Sequence, residues 1–187
     1  REPHVRLQNL VLKSSGRVSV RGLVFAGVAA LWLLFAAHSA FVQWHRARGA
    51  YYLEQTESTR ADVLSGAFRE RSYSPRHTNA VAAALQHFTL ADRWGLVGVT
   101  EIKLGLAWCH LLEDDMPAAE ANVRSAVAIR PDDAALQQNL LEILLAQGNR
   151  PAAIELLKKR VSSPTSPVAD RFQLARLLAA SERLEEA

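Results

Sequence analysis

The residues able to do chemistry in this 187-residue chain are few and scattered. Histidines stand at 4, 38, 45, 77, 87 and 110, and the single cysteine at 109. A protein metal centre gathers three or four such ligands at short, regular spacings, and these residues have no such spacing. A lone cysteine excludes an internal disulfide and leaves the redox compartment unread. Cys109 lies in the apolar run LGLAWCHLL, where a thiol packs as a small hydrophobe. Glycine-rich phosphate loops and nucleophile elbows are absent from the sequence. Asp114-Asp115 read as a solvated acidic turn. The expectation is therefore no catalytic residue, no metal and no cofactor, and a chain that is not an enzyme.

His38 has to be weighed separately, because of where it lies. Residues 22–42, GLVFAGVAALWLLFAAHSAFV, carry no formal charge. At about 1.5 Å per residue a helix of that length reaches roughly 30 Å, the thickness of a bilayer's hydrocarbon core. Arg17 and Arg21 bound the run on one side, and Trp44, His45, Arg46 and Arg48 on the other, the arrangement of interfacial anchors. An ionisable group at membrane depth faces protein, water or a ligand. His38 then has three readings: a bond to a carbonyl or headgroup near the interface, a polar contact on a partner helix, or axial ligation of a haem or chlorophyll-type pigment. Gly22, Ala26 and Ala30 form a small-xxx-small stripe suited to close packing of a second membrane helix. Ala37-His38-Ser39 offers a signal-cleavage site, but the apolar run continues past it to Val42, which favours a retained anchor.

Net charge is +3. Arg1, Arg6, Lys13, Arg17 and Arg21 crowd the first 21 residues, which suits membrane orientation better than nucleic acid. No nucleic-acid partner is expected. Five Lys/Arg before the anchor against Arg46, Arg48 and Arg60 after it place the N-terminus in the cytoplasm by the positive-inside rule.

The remainder reads as helix. A helix is expected from Trp44 to about Glu70, with Gly49 and Gly66 as weak points, ended by Ser72-Tyr73-Ser74-Pro75. A second, about Thr78–Trp94, starts on a Thr78 cap. No segment shows strand alternation, and Ser14-Ser15-Gly16 merely break the basic arm. From there an internal period dominates. Ala119, Ala153 and Ala187 are 34 residues apart, as are Leu106, Leu140 and Leu174, and Asp114, Gly148 and Glu182 at a loop position. Pro117 and Pro151 repeat at the same interval, and Pro131 and Pro164 stand where one unit hands over to the next. Paired helices are expected at about 99–113 and 117–129, then 132–147 and 151–161, with a third unit starting at 168–180. Asp132-Asp133 place carboxylates at the positive end of the following helix.

This pattern resembles the tetratricopeptide repeat (TPR) family over about residues 76–187. Ala119, Val123, Ala126 and Pro131 follow the family's small–large–small second helix and its closing proline, and Ala84, Phe88 and Ala91 repeat the spacing upstream. The family's first-helix glycine is replaced by Ala107, Leu141 and Ala175, and its tyrosine by His110, Leu144 and Leu178. Glu185-Glu186 match an acidic pair common in the family. The resemblance implies an all-α fold, a single transmembrane helix followed by a solenoid of helical hairpins. It implies a concave partner-binding face at Glu101, Leu104 and Trp108, then Ala135, Gln138 and Glu142, then Ala169, Phe172 and Arg176. A carboxylate clamp of the kind some members carry is not matched: Asn139 fits, but Leu104 and Gln138 stand where a cation is needed.

The domain reading is a basic arm (1–21), a transmembrane helix (22–44), a helical linker or degenerate repeat (45–75) and repeats (76–187) that continue beyond the last residue. The chain begins without methionine, so residues are expected to be missing at both ends. The expected function is a membrane-anchored scaffold, assembly factor or accessory subunit of a membrane complex. An integral membrane partner would meet Gly22, Ala26, Ala30 and His38; a soluble or periplasmic partner would meet the concave face. The expected site is a bacterial inner membrane with the repeats in the periplasm. The alternatives are a C-terminal piece of a polytopic glycan polymerase or ligase, or a small subunit of a respiratory or photosynthetic complex.

Overall fold

The computed structural model describes residues 5–7, 10–14, 17–56, 58, 60–64, 73–162 and 167–185. His4, Ser15, Gly16, Gly66, Glu70, Ser72, Pro164, Glu186 and Ala187 lie outside them. The chain divides into two compact units, Arg1–Trp44 and His45–Ala187.

In the first unit, β1 (Val5–Leu7), β2 (Leu10–Ser14) and β3 (Arg17–Val18) form an antiparallel sheet in that order. Leu7 pairs with Leu10 and Lys13 with Val18. The sequence reading expected no strand here. Strands of 3, 5 and 2 residues are too short for alternation to be legible.

Everything else regular among the described residues is helix, and the class is all-α. Helix α1 (Val20–Leu53) opens with the Gly22 N–H donating to Ser19 Oγ at 3.0 Å, which satisfies one of the first-turn amides that lack an intrahelical partner. Leu31, Trp32, Leu33, Leu34 and Phe35 are exposed one after another, so the helix is apolar all round rather than along one stripe. It is the one helix among the described residues long and apolar enough to cross a membrane.

α1 stops at Leu53, short of the expected Glu70. Thr56 N–H and Thr56 Oγ1 both donate to the Leu53 carbonyl, at 3.1 and 2.7 Å. That tightened turn satisfies a terminal carbonyl and closes the helix. A five-residue helix, α2 (Arg60–Leu64), follows.

Helix α3 (Pro75–Trp94) begins three residues earlier than the Thr78 cap anticipated. Ser74 Oγ accepts from His77 N–H at 3.3 Å, and Pro75, which has no N–H to satisfy, takes the first turn.

The period then appears directly in the backbone. α4 (Thr100–Leu112), α6 (Ala134–Ala146) and α8 (Val168–Glu185) start 34 residues apart, as do α5 (Met116–Ile129) and α7 (Arg150–Val161). Their turns repeat too. Asp114 and Gly148 are both left-handed, at φ 61° and 71°. The next residues, Asp115 and Asn149, cap α5 and α7 through the amides of Ala118 and Ala152, ahead of Pro117 and Pro151. Asp133 caps α6. Asp114 and Asp115 thus have structural work in the turn.

The third turn does not form. α8 runs unbroken through Glu182 to Glu185. Glutamate gains nothing in a left-handed conformation, and the run Leu-Leu-Ala-Ala-Ser-Glu-Arg-Leu is built mostly of helix formers.

Successive helices from α3 to α8 pack in pairs. Ala84, Ala91, Ala119, Ala126 and Ala153 have no exposed surface, while Phe88 and Val123 fill the spaces between them. The alanines let helix axes approach and the larger residues occupy the grooves left. Ala153→Leu should therefore overpack its crossing and cost about 1–3 kcal/mol. Glu155→Leu, one turn-position away with a side chain 71% exposed, should change stability by about 0.5 kcal/mol or less. Thermal melts of the two variants in one detergent check the difference.

Candidate partner-binding cleft

Three helices of the second unit meet on one aromatic ring. Phe88, from α3, lies against Gly49 of α1 and Gly105 of α4. A Cβ at Gly49 would sit 3.0 Å from the ring, and one at Gly105 would strike it. The glycines are the condition for the three helices to close on Phe88.

Beside that ring opens a cleft of about 730 Å³. Its apolar wall is Leu104, Ala107, Trp108 and Leu111 of α4 with Ile143 of α6, faced by Ala47, Ala50 and Leu53 of α1. Its polar groups are Arg46, Glu54, Glu101 and Asn139. Arg46 Nε is buried and has no hydrogen-bond partner among the described residues. Glu101 meets Arg130 at 3.2 Å across an exposed ion pair. Helix α2 packs across α4 and α6, with Val63 fully buried in the core and Leu64 lining the cleft. The inner faces of α4 and α6 therefore already hold one short apolar segment of the chain itself.

Of the residues expected on one concave face, the structure brings Glu101, Leu104 and Trp108 to the cleft and no others. Gln138 and Glu142 belong to a separate polar network. Gln138 Nε2 donates to Glu142 Oε1 at 3.1 Å, and Gln138 Oε1 accepts from Arg160 Nη1 at 3.0 Å. Arg160 also grips Asp170 through two bonds of 2.9 and 2.7 Å. Both side chains of that pair are nearly buried, so its attraction is little screened. It fixes the orientation of α8. Asp170 faces inward, and Phe172, about 200° further round the helix, faces out and is 70% exposed. Ala135, Ala169 and Arg176 are exposed as well.

Within α1, Gly22 is buried but Ala26 and Ala30 are exposed. A Cβ added at Gly27 would meet nothing within 4 Å. His38 is half-buried, and its Nε2 has no hydrogen-bond partner among the described residues. Cys109 is fully buried, and burial, followed by the nearby Glu113 carboxylate, pushes its thiol up to about 12. No three His, Cys, Asp or Glu side chains among the described residues gather as a metal site.

One cluster had no signal in the sequence spacing. His45 and His87, 42 residues apart, bring their Nδ1 atoms to 2.8 Å. One ring must donate and the other accept, so the bond is lost when both are charged. Tyr52 stacks on His87 with ring centres 5.6 Å apart, and Arg48 donates to the Tyr52 hydroxyl at 3.1 Å. Burial first, then His45 and Arg48, holds the His87 pKa below its ordinary 6.5.

Comparison with family models, with curated proteins and with solved structures gave no match.

Because the folded chain resists protonating His87, the unfolded chain takes up that proton first. The stability that neutral His87 contributes is then present above pH 6.5 and is lost as the pH drops from there through the lowered folded-state value. His87→Gln should flatten this acid slope. Melting temperatures of both proteins, measured across that range in one detergent, check it.

Proposed function

We propose that this chain is a single-span membrane protein of tetratricopeptide type that acts as an adaptor, holding a second protein against a membrane complex through the α4–α6 cleft. The observation that carries the reading is the cleft itself: apolar walls, a few polar groups at its edge, and an inner face that accepts the chain's own Val63–Leu64 turn. A partner's short apolar segment suits the same chemistry, with Trp108 as the aromatic anchor and the unpaired Arg46 Nε available to a backbone carbonyl. Helix α1 supplies the anchor, and its small-residue face at Gly22, Ala26 and Ala30 is where a membrane partner would pack.

Photo-crosslinking in cells tests the cleft. A benzophenone amino acid at Leu104 should capture a protein through an apolar peptide, and one at Phe172 should not. Trp108→Ala should reduce the Leu104 adduct about tenfold, the effect of losing one aromatic hot spot, while Phe172→Ala leaves it unchanged. Equal capture from both positions, or none from Leu104, removes the cleft from the proposal.

The excess of basic residues before α1 supports an inner-membrane protein with a cytoplasmic N-terminus and a periplasmic repeat unit. A membrane-impermeant thiol reagent should then label Arg150→Cys in intact spheroplasts. Labelling only after lysis reverses the orientation.

A further inference from the structure

The turns of the second unit differ in chemistry. Glu113-Asp114-Asp115 and Gln147-Gly148-Asn149 are polar, as expected where helix ends meet water. The α3–α4 connection is Gly95-Leu96-Val97-Gly98-Val99, with no polar side chain at all. Leu96 is 73% exposed and Val97 77%, and Trp94 at the end of α3 is 52% exposed. Ile129, also exposed, joins them: a Cβ at Gly98 would lie 3.0 Å from Ile129 Cδ1.

Two observations place this patch in its unit. First, α1 beyond His45 crosses α3 at His87 and Phe88, with its last turn directed towards the start of α3. His45 meets His87 and Gly49 meets Phe88, whereas Tyr52 and Gln55 share a shallow pocket with Arg76, Asn79 and Ala83. The C-terminal turn of α3 therefore lies at the His45 end, where the chain arrives from its apolar segment. Second, the α5–α6 link is at that same end, because Arg130 reaches Thr100 Oγ1 at 3.0 Å and Glu101 at 3.2 Å.

Charge at this end is paired in part, and among the described residues Arg46 and Arg48 of α1 have no carboxylate partner. Lys103 pairs with Asp92 at 2.8 Å and Arg130 with Glu101 and Asp133. Exposed Asp132 lies three residues beyond Ile129, and exposed Arg93 adjoins Trp94 with no ion-pair partner among the described residues. An exposed tryptophan next to an arginine, followed by bare Leu-Val, has the amphipathic chemistry of the lipid headgroup boundary.

We infer that Trp94, Leu96, Val97 and Ile129 form a lipid-contacting tip of the second unit that enters the headgroup boundary of a bilayer. This rests on the reading of α1 as a membrane anchor. The apolar residues enter the acyl boundary and Arg93 stays at phosphate level. Insertion draws on the apolar area, and Arg46, Arg48 and Arg93 add attraction to headgroup phosphates.

The test uses the full chain in phosphatidylcholine nanodiscs, with an environment-sensitive fluorophore on Val97→Cys. Buried Cys109 does not compete for the label. Spin-labelled lipid carrying its doxyl group near the headgroup should quench the Val97 label at least about twofold. A label on Arg150→Cys should be unaffected. That residue is at the opposite end, where Gln147 Nε2 donates to the Met116 carbonyl at 3.1 Å. A label on Leu31→Cys should be quenched by deep doxyl groups. Quenching at Leu31 with none at Val97 overturns the lipid tip and leaves the anchor standing. No quenching at Leu31 overturns the anchor and the tip with it.

Discussion

Contact between Phe88 and its two flanking glycines is the constraint on which the junction of α1, α3 and α4, and the cleft beside it, depend. Glycine inside a helix costs roughly 0.5–1 kcal/mol relative to alanine, and here it occurs in both α1 and α4. Full burial of a phenylalanine side chain contributes about 1.5–3 kcal/mol, and Phe88 is 3% exposed. The gain is comparable to or larger than the two backbone costs, but only if both glycines are present. The same closure sets α1 beside α4, and so makes the last turns of α1 a wall of the cleft. Without the glycines the helices could not approach, and the cleft would lose one side.

Much of this architecture is legible in the sequence because it follows from periodic small residues. Ala119 and Ala153, Pro117 and Pro151, and Asp114 and Gly148 recur at one interval and do equivalent jobs. The all-α class and the long apolar helix follow from composition and length. Legibility ends where a contact joins residues with no fixed offset. Gly49 reads as a helix breaker until Phe88, 39 positions later, explains it. His45 and His87 give no spacing signal. The early stop of α1 depends on one Thr56 hydroxyl, and α2 on a burial of Val63 that no pattern announces.

The concave face shows the same boundary. A register argument assigns equivalent positions in successive first helices to one surface. It places Glu101, Leu104 and Trp108 together because they share a helix. It fails for Gln138, Glu142 and Phe172, because Arg160 intrudes from α7. A guanidinium that satisfies both Gln138 and Asp170 claims the polar side chains of α6 and turns α8 so that its aromatic faces out. Such ties give orientation more than net stability, since two ions leave water to form them. Helical periodicity carries no information about them.

The matched turns bear on how a chain of this kind can change length. One residue inserted within a helix rotates everything after it by about 100° and takes the alanines off their crossings. A whole unit inserted at a turn has no such effect. It brings its own left-handed residue, its own capping Asp or Asn and its own proline, and presents the next helix with the surface it would have met anyway. Contacts in such a stack are made with neighbours only, so distant helices do not sense the addition. Selection can therefore lengthen or shorten the stack in steps of 34 residues while leaving the Phe88 junction and the apolar tip untouched. The repeated hairpins and the Phe88 junction are thereby free to change at different rates.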